Sequence, residues 1–262
     1  MSPTSANRFG LELEFPKYMG TYFNHKDWED FVFKASQDLA VKFDVSPDEH
    51  IYKWTVKSDS SAGIEITSPA LFCNFQSFKM LDLFLTNLEK EIFQDETLSY
   101  KDFESKENGL HVHLSQSCFS SKEHLNAFFR FFLVFEKTIF SMFPQYRKKN
   151  QYAESLKSVL GSDYRDLMAI DFVSDPRFSD HYACVNLNAE HQTVEIRHSQ
   201  GTLNSRHILG WLSFILLVVD ACPLVKWTPV DHIRNLKQMF FKCGFYSWKT
   251  DLLRYAFTWL KK

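Results

Sequence analysis

Five short stretches of this 262-residue chain alternate apolar and polar side chains with a period of two. Phe9-Gly-Leu-Glu-Leu-Glu-Phe15 sets Phe9, Leu11, Leu13 and Phe15 on one face and Glu12 and Glu14 on the other. Gly63–Thr67 sets Ile64 and Ile66 against Glu65, and Leu110–Leu114 sets three aliphatics against His111 and His113. Cys184–Asn188 separates Val185 and Leu187 from Asn186 and Asn188; Thr193–His198 separates Val194 and Ile196 from Glu195 and Arg197. Each reads as a strand with one buried face. Apolar residues three and four apart predict helices over Trp28–Phe43, Phe75–Phe93, Lys122–Phe143, Asn204–Cys222, Pro229–Cys243 and Trp248–Leu260. Ser120–Ser121 and Asn204 are helix-start residues, and Pro144 and Pro223 fall where helices stop.

The chemistry lies on the second face of the strands. An ordinary antiparallel sheet wetted on one side carries an arbitrary mixture of polar residues there. Here that face collects Glu12, Glu14, Glu65, His111, His113, Asn186, Asn188, Glu195 and Arg197, with no lysine among them. Glutamates two positions apart on a strand have Cα atoms about 6.5–7 Å apart on one face. Unpaired, they repel and raise each other's pKa; a divalent cation beside them removes that cost. Carboxylates with an imidazole suit Mg²⁺ or Mn²⁺, whereas the planar fork of Arg197 suits a phosphate or a carboxylate. Cations together with an arginine fit a polyanion such as a nucleoside triphosphate. No GxxxxGK[ST] loop and no GxGxxG after a strand is present, so the sheet face itself would have to hold such a nucleotide.

The rest of the composition narrows the class. A net charge of -2 without a basic stripe excludes a nucleic-acid partner on electrostatic grounds. The five scattered cysteines show no metal spacing and predict reduced thiols in a cytoplasmic setting. The apolar run Ile208–Val219 is shorter than the ~20 residues of a membrane span, and the polar first residues lack a signal peptide's apolar run, so no membrane partner is expected. The 27 Phe, 10 Tyr and 6 Trp, including the Phe128–Phe135 cluster, read as core, and Arg147-Lys-Lys149 as a solvated loop.

Three segments carry a resemblance, in this order along the chain. Gly10-Leu-Glu-Leu-Glu-Phe15, Asn108-Gly-Leu-His-Val-His-Leu-Ser115 and Glu195-Ile-Arg197 resemble the signature strands of the glutamine synthetase and glutamate–cysteine ligase superfamily. Ile64-Glu-Ile-Thr-Ser-Pro69 and Thr193-Val-Glu-Ile-Arg-His-Ser-Gln-Gly-Thr-Leu-Asn204 narrow the likeness to its amidoligase family, over roughly Arg8 to Val219. The resemblance implies an α+β fold with an antiparallel, partly barrelled, glutamine-synthetase-like sheet and helices packed on its apolar face. It implies one domain over 1–262 with a helical C-terminal extension from about 223.

The implied activity is an ATP- and Mg²⁺-dependent carboxylate–amine ligase working through an acyl phosphate, with Mn²⁺ as the other ion the ligands would take. Glu12, Glu14, Glu65, His111 and Glu195 resemble its metal ligands. His113 and Ser115 fall where nucleotide phosphates approach, and Arg197 falls where the transferred phosphoryl group or the acid is held. With Glu195, Arg197 is the expected catalytic residue. Asn186 and Asn188 are expected to position substrate, and Arg177, His181 and Tyr182, in the preceding loop, to line its pocket. Asp59 is a further acidic candidate. The expected partners are small-molecule or peptide carboxylates and amines.

Two other classes compete. A metal-dependent hydrolase of amides or esters would use the same carboxylates and histidines, and a non-catalytic descendant would bind a nucleotide or peptide. A cupin wants a glutamate shortly after its His-x-His pair, where Gln116-Ser-Cys-Phe119 stands instead. An amidohydrolase barrel needs a regular alternation of strands and helices that the chain lacks.

Overall fold

The computed structural model describes residues 7–43, 53–59, 63–94, 96–165, 169–180, 182–188 and 191–224. The helices expected over Pro229–Cys243 and Trp248–Leu260, the bulk of the C-terminal extension and His181 lie outside them. Among the described residues seven strands occur: β1 (Arg8–Phe15), β2 (Thr55–Asp59), β3 (Gly63–Thr67), β4 (Leu71–Phe72), β5 (Gly109–Ser115), β6 (Val185–Asn188) and β7 (Thr193–Gln200). The same described residues hold five α-helices, α1 (His25–Phe43), α2 (Phe75–Ile92), α3 (Lys122–Ser141), α4 (Leu156–Leu160) and α5 (Ser205–Ala221), besides short 3-10 turns. The strand order is β2-β3-β1-β5-β7-β6, with β4 paired to β1. Every pair with a described register is antiparallel. The expected α+β architecture is present, and the strand path stays open from β2 to β6 rather than closing into a barrel. Among the described residues no helix is long and apolar enough to cross a membrane.

Contacts divide the chain into two units, residues 1–112 with 199–209, and residues 113–198 with 210–262. In the first unit, Phe9, Leu11, Leu13 and Phe15 of β1 are 0–2% exposed. Phe15 stacks on Trp28 of α1, and Phe103 meets both rings edge-on. Trp54 stacks on Phe84 of α2 at 3.8 Å between centroids. The apolar face of β1 is thus covered by α1, and α1 packs along α2 and β2. Helix α1 begins three residues earlier than its apolar spacing predicts. The Asn24 side chain accepts from the N–H groups of Lys26 and Asp27, and Asp27 accepts from the Asn24 N–H. That reciprocal cap satisfies donors a helix start leaves open.

In the second unit, α3 is buried on nearly every side, with Phe128, Phe129, Phe131 and Phe132 fully enclosed. Ser121 caps it by accepting from the His124 N–H. Val194, Ile196 and His198 form the buried face of β7. His198 is enclosed by Phe132 and Phe140 of α3 and Trp211 of α5, with centroids 4.8–5.9 Å away. Among the described residues neither ring nitrogen of His198 has a hydrogen-bond partner. Burial, with the charge of Arg147 behind it, pulls its pKa down to about 3, so the ring is neutral. Arg147 itself departs from the solvated loop expected of Arg147-Lys-Lys149: it is 1% exposed, its guanidinium directed at backbone carbonyls of β7.

The neutral His198 has a measurable consequence. An unfolded chain protonates this histidine near pH 6.5, while the folded one resists to about pH 3. Its contribution is therefore present above pH 6.5 and is lost as pH falls through that window. His198→Phe should remove about 2 kcal/mol of the stability change between about pH 7.5 and about pH 5. Urea unfolding of both proteins at the two pH values measures this; equal pH dependence would contradict it.

Candidate functional site

In the first unit the acidic face is built by β1, β3 and β5. Burying Leu11, Leu13 and Phe15 turns Glu12 and Glu14 to the other side, and the β1–β3 register sets Glu14 opposite Glu65. Cross-strand like charges destabilise a sheet. Lys57, opposite Glu65 on β2, lies 3.4 Å from its carboxylate but is largely exposed, so its relief is small. Glu65 also accepts a hydrogen bond from the Thr67 hydroxyl.

His111 stands between the two β1 carboxylates. Its Nδ1 is 3.2 Å from a Glu12 oxygen and its Nε2 3.5 Å from a Glu14 oxygen, with the ring 2% exposed. The Glu14 oxygen also accepts the Gly109 N–H at 2.7 Å. Gly109 is required by close approach: a Cβ there would sit 2.6 Å from His111 Nε2. It had been part of the Asn108-Gly-Leu-His segment without a role of its own.

In the second unit Glu195 is the hub. Its Oε2 accepts from Asn186 Nδ2 at 3.0 Å and its Oε1 from Arg197 Nη1 at 2.6 Å. His113 Nε2 is 3.8 Å from Oε1, and His113 Nδ1 is 3.2 Å from the Thr193 hydroxyl. Arg197 Nε donates to the Tyr152 carbonyl at 3.0 Å. Two of the three guanidinium nitrogens are thereby held, which aims the third.

The other candidates lie in different settings. The Ser115 hydroxyl accepts from the Ser117 N–H, capping the turn after β5. Asn188 accepts from the His191 N–H in the β6–β7 hairpin. Arg177 is tied to Asp175 and Asp163 at 2.6 and 2.9 Å, and these carboxylates raise its pKa. Tyr182 is 41% exposed with its ring edge-on to Tyr152. Asp59 ends β2 opposite Gly63. Tyr152, which the sequence did not single out, enters through its backbone carbonyl, which any residue type provides.

The family described as "Putative amidoligase enzyme" matches residues 5–219, most of the chain. The chain belongs to this family. A comparison with curated protein sequences finds no match. Among solved structures, the complex of the prokaryotic ubiquitin-like protein Pup with its ligase PafA aligns with 97% of this chain and 63% of that one, at a TM-score of 0.47 and 11% identity. The amidoligase chain thus spans less than two thirds of the length of that neighbour.

The packing of Gly109 on His111 generates a double-mutant test. Gly109→Ala should cost about 1–3 kcal/mol, because the added methyl displaces a ring held between two carboxylates. In a His111→Ala background the same change should cost much less, since its obstacle is gone. Denaturant unfolding of the four proteins measures the coupling; strict additivity would show that the ring and the glycine are not in conflict.

Proposed function

We propose that the chain is an ATP- and Mg²⁺-dependent carboxylate–amine ligase that forms an amide through an acyl phosphate. The observation that carries this reading is the buried His111 ring flanked by Glu12 and Glu14. Glu12, Glu14, Glu65, His111 and Glu195 would hold Mg²⁺ or Mn²⁺. The donor chemistry fits: carboxylate oxygens and imidazole nitrogen, with no thiolate among them. The bound ion would supply neutralisation of phosphate charge.

The chain's own residues do the rest. Arg197, gripped by Glu195 and the Tyr152 carbonyl, offers its remaining N–H groups to the phosphoryl group or to the acid substrate. Held in advance, it stabilises charge as that charge develops, without reorganising. By this reading His113 and Ser115 would meet the nucleotide phosphates, and Asn186, Asn188, Tyr182 and Arg177 would bind substrate. In the reaction, a substrate carboxylate attacks the γ-phosphate of ATP and ADP leaves. The amine then attacks the acyl carbon, phosphate departs, and the amine's proton passes to a base. The substrates are a small-molecule or peptide carboxylate and an amine, and the same reading treats 1–262 as one domain with a C-terminal extension in the cytoplasm.

Calorimetric titration with ATP tests this directly. Binding should be present with Mg²⁺, lost with EDTA, and weakened at least tenfold, about 1.4 kcal/mol, in Glu12→Gln. Absence of ATP binding up to millimolar concentration would sink the ligase reading and leave ATP-independent hydrolysis as the activity to assay. Arg197→Lys, which keeps the charge but loses the planar fork, should lower the rate of ADP release more than it weakens ATP binding.

A further inference from the structure

The structure assigns to Arg147 the placement of Arg197 through the backbone of β7. The β6–β7 ladder runs to Val185 opposite Ile196, and its next hydrogen bond takes the Arg197 N–H to the Cys184 carbonyl. In a regular antiparallel pair the Cys184 N–H would return a bond to the Arg197 carbonyl. It does not, because it donates instead to the Glu154 carbonyl at 2.8 Å. The Arg197 carbonyl has therefore lost its ladder donor just where β7 carries its functional side chain. A buried carbonyl without a partner is costly. Arg147 Nη2 fills the position at 2.7 Å, while its Nε reaches the His198 carbonyl at 3.4 Å.

The position of this guanidinium explains why the residue must be arginine. Arg147 lies in the short turn Gln145–Lys149 after Pro144 and is 1% exposed. A rigid planar fork meets two successive carbonyls in one fixed geometry, whereas an ammonium on a flexible stem holds them less firmly. Fixing the Arg197 carbonyl fixes the backbone from which its side chain leaves. Glu195 and the Tyr152 carbonyl then meet a guanidinium already in place. Arg147 is thus a positioning residue for Arg197. Its bearing on catalysis rests on the ligase reading above, whereas its hold on Arg197 does not.

The test reads Arg197 itself. Its Nε–H, bonded to Tyr152, should give a slowly exchanging proton resonance, identified by its loss in Arg197→Lys. In Arg147→Met that proton should exchange at least tenfold faster, and in Arg147→Lys by a smaller factor. ATP·Mg²⁺ affinity should fall in the same order, with near-UV circular dichroism confirming native packing. A folded variant in which Arg197 Nε–H exchanges at the wild-type rate overturns the assignment. If neither variant folds, the wild-type protein decides: slow exchange of the Arg147 guanidinium protons supports the carbonyl contacts, and fast exchange overturns them. Failure of the wild type to bind ATP removes the ligase reading but leaves the exchange comparison intact.

Discussion

The aliphatic face of β1 is the constraint on which the rest depends. Phe9, Leu11, Leu13 and Phe15 are all but sealed from solvent, and the side chains of a strand alternate with a period of two. A slip of one residue would bring Glu12 and Glu14 into the stack with Trp28 and Phe103 and expose the aliphatics. Hydrophobic burial therefore fixes the register, and the register places two carboxylates where His111 can stand between them. The chemistry of the acidic face follows from the packing of the opposite one.

That dependence explains what the sequence made legible. Strands β1, β3, β5, β6 and β7 each bury apolar residues against a polar face, so alternation exposes them. Strand β2 reads Thr-Val-Lys-Ser-Asp, with Val56 its only apolar residue, and β4 has two residues; neither leaves a periodic signal. Helix α1 begins ahead of its apolar stripe because a reciprocal Asn24–Asp27 cap sets its start, and caps speak through side-chain oxygens rather than periodicity. The five-residue α4 follows the same logic, with Ser155 as its cap.

The candidate residues divide along a similar line. Glu12, Glu14 and His111 come together, as do Asn186, Glu195 and Arg197, because strand parity sets which way each side chain points. Arg177 lies in the short 3-10 turn Pro176–Ser179 and Tyr182 in the loop after it, where strand parity gives no direction, and Arg177 turns to the carboxylates of Asp163 and Asp175. Asn188 keeps the parity of its strand but sits at its end, where the hairpin turn takes its side chain. Arg147 was illegible for a different reason. Two lysines follow it in sequence, and its guanidinium meets a pair of main-chain carbonyls some fifty residues away, which carry no side-chain signature.

A buried arginine directed at main-chain carbonyls raises the question of what an apolar side chain in its place would lose. An apolar side chain of similar volume would leave the Arg197 carbonyl without the donor that stands in for its ladder partner, at a cost to stability. The carbonyl it serves belongs to Arg197, whose own guanidinium is held from two further directions by Glu195 and Tyr152. Three restraints converge on one side chain and its peptide. Under the proposed ligase reading they preorganise a cation, since charge that develops during phosphoryl transfer is stabilised best by a donor that need not move.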